Sequence, residues 1–478
     1  MPSVSEHPIK FGTDGWRAII AEDYTFDNVR VCAAATAEYV KRAGLAERGL
    51  VIGYDTRFES DAFAVAAAEV VSAAGVPVFL CDSPAPTPVI GYAILTHKAG
   101  GSIVITSSHN PGPYNGFKVR SDNASSAAPE ILAQIEALVG EKYGSEPARM
   151  ALDEAKSRGL VQTFDPKPPY LRHLAGLIDF DRLRNAGLTV LADPMHGAGR
   201  GYLTDALAGG KTQVREIRGE INPAFPGMHN PEPIPRNLDA AVAAIRDVKA
   251  DLALCTDGDA DRIGVIDHNG RFVNQLETYA LLAYYLLEVR GERGPMVKSV
   301  TTTSMIWRLG ELYDVPVYET PVGFKFLGPK MIETDALIAG EESGGFAFRG
   351  HLPERDGVLS GLYIFDLMVR RGKRLPELIE ELFAKVGPHY YDRIDITMTT
   401  EDSDRVRRLL PSLNPKELAG LKVESLDTTD GLRFMLEGGA WALIRLSGTE
   451  PLMRIYTEVR DQAKVQPVLQ AVRELTGA

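Results

Sequence analysis

Short apolar runs recur along this 478-residue chain, most of them running into a polar loop and then into a stretch with helical spacing of its apolar positions. Val51-Ile52-Gly53-Tyr54-Asp55 and Val76–Cys81 read as strands, and Asp61–Ala74 and Pro88–His97 as helices. Ser102-Ile103-Val104-Ile105 reads as a buried strand that ends in the loop Thr106–Pro111. The rhythm continues with helices near Ala128–Val139 and Tyr170–Leu177. It restarts with strands Leu188–Ala192 and Gln213–Ile217, helix Leu238–Val248, and strands Asp251–Thr256 and Ile263–Ile266. A third round takes in helix Leu276–Val289, strand Val297–Thr302, helix Ser304–Leu312, strands Val315–Tyr318 and Ala336–Ala339, and helices Leu359–Arg371 and Leu375–Val386. Alternating strands and helices of these lengths predict α/β units. After Gly387-Pro388 the character changes. Arg393–Met398, Leu421–Glu424, Leu432–Leu436 and Trp441–Leu446 cluster as strands, which predicts an α+β domain with a largely antiparallel sheet. The expected domains are 1–155, 165–268, 269–386 and 389–478.

Composition narrows the class without changing this picture. An apolar share of 45% and a charged share of 24% are those of a soluble globular protein. The longest apolar stretch, Tyr279–Leu287, falls far short of the roughly 20 residues a membrane helix needs. Met1–Lys10 carries no signal-peptide pattern, and Cys32, Cys81 and Cys255 have neither metal nor redox spacing. The expectation is a cytoplasmic protein. A net charge of −12 argues against a nucleic-acid partner, which would call for basic surface, but leaves room for a small anionic ligand.

The loops carry the chemistry. Thr106-Ser107-Ser108-His109-Asn110-Pro111 crowds hydroxyls, an imidazole and an amide at a strand end, and Lys118 follows shortly. Asp257, Asp259 and Asp261 alternate with small residues between two strands. Carboxylates so close repel one another unless a cation offsets them, and an oxygen-only set suits a hard ion such as Mg²⁺. Gly340-Glu341-Glu342-Ser343-Gly344-Gly345 offers acceptors and a hydroxyl of the kind that meet sugar hydroxyls. Arg445-Leu446-Ser447-Gly448-Thr449, with Arg454 beyond, offers a guanidinium, hydroxyls and an exposed backbone N–H for phosphate oxygens. Each loop alone also fits an ordinary solvated turn. Their conjunction points to phosphoryl transfer on a sugar phosphate. Nucleotide signatures fail: Asp205 replaces the first glycine of a P-loop, and Tyr202 the last glycine of a dinucleotide fingerprint.

These four loops, in this order and over essentially the whole chain, resemble those of the α-D-phosphohexomutases, the phosphoglucomutase/phosphomannomutase family. Phe11–Arg17 and Asn115–Lys118 also match family segments. The resemblance implies three related α/β domains with mixed sheets and a C-terminal α+β domain around a central cleft. It implies that Ser108 carries the phosphoryl group and, with Asp257, Asp259 and Asp261, holds Mg²⁺. It places Lys118, Arg17, His109 and Arg262 among the catalytic residues, Lys118 as the acid/base partner of the reacting hydroxyl. Gly323, Lys325, Glu341, Ser343, Arg445, Ser447, Gly448, Thr449 and Arg454 are expected to bind substrate. Glucose 1,6-bisphosphate is the implied intermediate and activator, and the implied partners are hexose phosphates, with no nucleic acid and no membrane, on a monomer or homodimer.

One departure bears on specificity. Many phosphomannomutase-type members end the sugar loop in histidine, where this chain has Gly345. The expected reaction is interconversion of glucose 1-phosphate and glucose 6-phosphate. Mannose phosphates come second, glucosamine phosphates third, and a glucose 1,6-bisphosphate synthase or a silent sugar-phosphate binding protein stand further off.

Overall fold

A computed structural model describes residues 7–12, 15–446 and 452–477. By packing they fall into two units: 1–275 with 343–375, and 276–342 with 376–478.

In the first unit, strands β1 (Trp16–Ile19), β2 (Leu50–Tyr54), β3 (Val78–Cys81), β4 (Ser102–Ile105), β5 (Tyr114–Arg120) and β6 (Val161–Phe164) form one sheet in the order β1-β5-β4-β2-β3-β6. Its centre is parallel, Ile52 lying opposite both Ile103 and Leu80, and its β1-β5-β4 edge is antiparallel. β2 and β4 are buried along their whole length, which is why they read as unbroken apolar runs. Helices Phe26–Arg42, Ser60–Ala73 and Thr87–His97 belong to the same region. Thr25 caps the first, its side chain accepting from Asn28 N at 3.3 Å.

A second sheet, β7 (Thr189–Asp193), β8 (Gln213–Glu216), β9 (Leu252–Thr256), β10 (Ile263–Asp267) and β11 (Phe272–Val273), runs β11-β10-β9-β7-β8. β9 and β10 are antiparallel neighbours, with Thr256 opposite Ile263, so residues 257–262 form the loop of a hairpin. Helix Gly357–Arg371, capped by Asp356, packs on this hairpin: a Cβ at Gly361 would lie 3.2 Å from Leu254 and 3.4 Å from Ile263.

In the second unit, β12 (Met296–Ser299) pairs in parallel with β13 (Val317–Thr320) and β14 (Ile338–Gly340). The chain rejoins the first unit, where it forms β15 (Phe346–Phe348). It then builds the C-terminal sheet from β16 (Tyr390–Thr397), β17 (Glu417–Leu418), β18 (Leu421–Asp427), β19 (Leu432–Leu436), β20 (Ala440–Leu446) and β21 (Leu452–Val459). The order is β16-β21-β20-β19-β18-β17, antiparallel throughout, as the run of strands predicts. Helix Val465–Thr476 buries Val465, Val468, Leu469 and Val472 against it.

The α/β and α+β classes expected from the pattern are those observed. Some elements differ from expectation. Strand Val315–Tyr318 is shifted to Val317–Thr320, after which Gly323 takes a φ of +121° before a helix, Phe324–Thr334, that the pattern does not predict and that holds Lys325 in its first turn. Residues 285–289 of the expected helix Leu276–Val289 form a π-turn. Helix Phe26–Arg42 and strand β21 escape the periodicity reading. Among the described residues, no helix is long and apolar enough to cross a membrane.

Candidate active site

Ser108 sits just beyond β4, 1% exposed, in the left-handed region at φ +51°. A non-glycine residue holds that conformation only when its surroundings enforce it. Here the main chain of the loop is gripped on both sides. Ser108 N donates to Thr106 Oγ1 at 2.9 Å, and Thr106 Oγ1 donates to Asp55 Oδ2 at 2.6 Å. The Arg57 guanidinium donates to four carbonyls of the same segment: Ser108 (2.7 Å), Asn110 (2.6 Å), Pro111 (3.0 Å) and Tyr114 (2.9 Å). Arg17 Nη1 donates to Asn110 Oδ1 at 2.8 Å, and Asn230 Nδ2 to the His109 carbonyl at 2.9 Å.

The Ser108 side chain faces the acidic hairpin loop. Its Oγ donates to Asp257 Oδ2 at 3.0 Å and lies 3.5 Å from His109 Nδ1. A Cβ at Gly258 would come within 2.4 Å of the Ser108 carbonyl oxygen, so the two loops touch backbone to backbone. Asp257, Asp259 and Asp261 are fully buried, and one oxygen from each lies within 4.8 Å of the others. The turn Ala260 N to Asp257 O, at 3.0 Å, folds the loop so that the carboxylates converge.

Cations surround this triad. Lys118, on β5, donates to Asp259 Oδ2 at 2.9 Å and lies 3.9 Å from Asp261. Thr87 Oγ1 donates to the same Asp259 oxygen at 2.7 Å. Arg355 Nη2 lies 2.9 Å from Asp261, and Arg262 Nε lies 3.8 Å from Asp261 and 4.0 Å from Asp257. Burial and the neighbouring Asp259 and Asp261 carboxylates push Asp257 well up, and burial with Asp259 raises Asp261 to about 6. Asp259 goes the other way: burial works against its charge, but Lys118 and Thr87 outweigh it. Burial, with Arg262 and Arg17 nearby, holds His109 well below its ordinary value, so its ring is neutral at neutral pH.

Asp259 Oδ1 and Asp261 Oδ1 are buried with no hydrogen-bond partner. Orphaned carboxylate oxygens in a site this dry are costly, and a hard cation satisfies both at once. The donor set therefore fits a divalent metal ion.

In the second unit, several expected substrate-binding positions are linked to one another. Asp430 accepts from Val322 N at 2.9 Å and from Arg445 Nε at 2.9 Å, tying the residues before Gly323 and Lys325 to Arg445. Arg445 and Arg454 are cross-strand partners on β20 and β21. Glu342 accepts from Arg393 Nη1 at 2.9 Å and from Tyr391 at 2.7 Å; Arg393 in turn pairs with Asp395, which lies 3.8 Å from Arg454 Nε. Glu341 is buried just past β14. Ser343 belongs to the first unit, next to Gly344, whose carbonyl accepts from Ile263 N at 3.0 Å. Ser447, Gly448 and Thr449 lie outside the described residues.

Gly345 has a neighbour that the sequence does not announce. A Cβ there would come within 2.2 Å of Arg355 Cδ. Glu354 Oε1 accepts from Arg355 Nε at 3.1 Å, and Glu354 Oε2 from Arg120 Nη1 at 2.9 Å. Asp55, Arg57, Thr87, Asn230, Glu354 and Arg355 are thus site residues missed by motif reading. The signal for two pairs was present: Asp55 and Arg57 directly follow a buried strand, where α/β folds place their sites, and Glu354-Arg355-Asp356 interrupts apolar sequence with three charges.

Family models for the phosphoglucomutase/phosphomannomutase alpha/beta/alpha domains I, II and III match residues 8–144, 168–270 and 275–386, and the model for the C-terminal domain matches 403–475. A phosphoglucomutase/phosphomannomutase of Thermococcus kodakarensis is 31% identical over 460 residues, covering 96% of each chain. A protein of Methanothermobacter thermautotrophicus, provisionally named a phosphoglucosamine mutase, is 30% identical over 98% of this chain and 97% of its own. A crystal structure from Thermus thermophilus, provisionally named a phosphomannomutase, superposes with a TM-score of 0.85 at 37% identity, covering 98% of this chain and 99% of that one. Sequence relatives, fold and all four domain models agree over nearly the full length. The chain belongs to the phosphoglucomutase/phosphomannomutase family and is a phosphohexomutase, an isomerase that moves a phosphoryl group within its substrate.

Proposed function

We propose that this enzyme interconverts glucose 1-phosphate and glucose 6-phosphate through a phosphorylated Ser108 and a bisphosphorylated sugar. The observation that carries the reading is the Ser108 hydroxyl 3.0 Å from Asp257, inside a buried triad with unsatisfied carboxylate oxygens. Asp257, Asp259 and Asp261, with an oxygen on Ser108, would hold Mg²⁺. The ion would neutralise charge on the phosphoryl oxygens as the group moves.

The protein's own groups do the rest. Ser108 presents its group at a fixed point. A sugar hydroxyl attacks the phosphorus, the Ser108 Oγ–P bond breaks, and Ser108 keeps the bond's electrons as an alkoxide that takes a proton. Lys118, which lies against the triad beside Asp259, is the proposed acid/base partner: its neutral amine takes the attacking hydroxyl's proton, and the resulting ammonium supplies the proton that the Ser108 alkoxide takes. His109, neutral and 3.5 Å from Oγ, is placed to contact the phosphate. Arg17 braces Asn110, and Arg262 brings positive charge beside Asp257 and Asp261. The sugar bisphosphate then turns over and returns its other phosphate to Ser108. Arg445, Arg454 and the Ser447-Gly448-Thr449 segment are proposed to hold the distal phosphate. Glu341, Ser343, Gly323 and Lys325 are proposed to hold the ring in both orientations.

The four family segments support a division into domains 1–155, 165–268, 269–386 and 389–478. The preference for glucose rests on Gly345, which stands where the resemblance puts a histidine in many phosphomannomutase-type members; its missing side chain leaves room for Arg355. Relatives carry names drawn from glucose, mannose and glucosamine phosphates, so mannose phosphate is the second reading and glucosamine phosphate the third. We place the enzyme in the cytoplasm, as a monomer or homodimer, with glucose 1,6-bisphosphate as activator.

The test is a coupled assay with Mg²⁺ and trace glucose 1,6-bisphosphate, run side by side on the three hexose 1-phosphates. The highest kcat/KM is expected for glucose. A higher value for mannose or glucosamine phosphate overturns the preference. Ser108→Ala is expected to lose a factor on the order of 10⁴ or more in kcat; retained activity would exclude the phosphoserine route.

A further inference from the structure

Ser108 is held through its main chain by a ring of hydrogen bonds and one ion pair that passes through one buried carboxylate. From Ser108 N the ring runs to Thr106 Oγ1 (2.9 Å) and on to Asp55 Oδ2 (2.6 Å). Arg57 Nε lies 3.2 Å from that same oxygen, and Arg57 Nη2 closes the ring on the Ser108 carbonyl at 2.7 Å. Asp55 Oδ1 is fixed separately, by Ser60 Oγ at 2.9 Å and by Arg57 N at 2.9 Å. The whole device is dry: Asp55 is 2% and Arg57 3% exposed. The Phe225 ring lies under the guanidinium, 5.0 Å away.

This arrangement is expensive for a loop that only had to be polar. A buried ion pair is weak as a source of stability, because desolvation takes back most of its attraction. Its strength is geometric. The planar guanidinium offers donors at fixed angles, and here all four terminal N–H bonds go to carbonyls between Ser108 and Tyr114. None of them reaches a side chain, and Arg57 is sealed from any ligand. Arg57 therefore cannot act on the substrate. It acts on where the serine is.

We propose that Asp55, Arg57 and Thr106 form a positioning device for phosphoryl transfer: they hold Ser108 in its left-handed conformation so that Oγ points at the triad. The proposal rests on the phosphoserine reading above.

Two variants test it from opposite arms of the ring. Arg57→Lys keeps the charge but loses the fork; Thr106→Val keeps the shape but cuts the N–H arm, removing one hydrogen bond to Asp55 Oδ2 while leaving both charged partners in place. Each is checked for folding by thermal melting. In the mutase assay Arg57→Lys is expected to lower kcat by a factor on the order of 10², and Thr106→Val by about tenfold, with KM for glucose 1-phosphate within about threefold of wild type. Single-turnover transfer from the phosphoenzyme should fall by the same factors. Thr106→Ser, which restores the hydroxyl, should recover wild-type kcat. Amide exchange over residues 106–111 should quicken in both impaired variants. If Arg57→Lys does not fold, Thr106→Val and Thr106→Ser decide alone. A folded variant with wild-type kcat, or a loss carried by KM only, overturns the device. Activity surviving in Ser108→Ala overturns the phosphoserine reading and the device together. Activity lost there but kept in Arg57→Lys and Thr106→Val overturns the device alone.

Discussion

Two glycines at the site are there because no side chain fits. Gly258 lies so close to the Ser108 carbonyl that a methyl would meet backbone at 2.4 Å, and backbone cannot swing aside. Gly258→Ala is therefore expected to push the serine and acidic loops apart. The coupled assay should show a loss in kcat of at least about tenfold, since a misplacement of an ångström is enough for that. Gly345 differs, because its neighbour is the side chain of Arg355. Gly345→Ala should displace Arg355 from Asp261, and the same substitution in an Arg355→Ala background should cost little more. A double-mutant cycle on kcat/KM is expected to give a coupling of about 1 kcal/mol or more; strict additivity would show that the two do not interact. At this scale the sequence is informative wherever chemistry is local. Three aspartates two residues apart point to a cation by their mutual repulsion once the other loops rule against a solvated turn. The strand end marks the place of Arg57 but not its task, because its partners are main-chain carbonyls more than fifty residues away, and any residue type supplies a carbonyl.

Elements are legible where burial is one-sided or complete. β2, β4 and β9 are unbroken apolar runs and read as strands directly. Helix Phe26–Arg42 escapes notice: Arg30, Lys41 and Arg42 dilute an otherwise alanine- and valine-rich sequence, and its small residues bury against helices Ser60–Ala73 and Pro129–Lys142. Strand β21 escapes although Met453 and Ile455 alternate with Arg454, because Arg454 reads as a phosphate ligand beyond a loop and the alternation is lost where residues 455–459 are all buried. The cap of helix Phe26–Arg42 gives a test remote from the chemistry. Thr25→Ala removes the side-chain bond to Asn28 N and should cost about 1 kcal/mol of stability. A urea titration followed by circular dichroism should show the lower midpoint, with kcat unchanged.

At the scale of the molecule, the chemistry and the expected substrate contacts fall on different parts of the chain. Ser108, Lys118 and the triad belong to the first unit, while Glu341, Lys325, Arg445 and Arg454 belong to the second. The second unit has its own half-buried ion cluster. Glu319 accepts from Lys298 at 2.5 Å and from Arg433 at 2.9 Å, and Arg433 also reaches Asp427. Burial alone would raise the Glu319 carboxyl, but the two cations hold it down to about 2. A depressed carboxylate stabilises the fold above its unfolded value, about 4.3, and that contribution fades as pH falls towards 2. Thermal melting of the wild type should accordingly drop between about pH 4.5 and pH 2, and Glu319→Gln, already less stable at neutral pH, should drop less over the same interval.

The ring through Asp55 has a consequence for turnover. On the phosphoserine route proposed above, the serine passes in each cycle between a neutral hydroxyl and a dianion, a change that in a floppy loop would drag the main chain with it. Here the bonds that shape the loop end on amide groups, whose polarity does not alter when Oγ gains or loses its cargo. The reorganisation that accompanies the switch is confined to the Ser108 side-chain torsion and to the groups facing Oγ. A carrier built this way starts each transfer from the same place as the last.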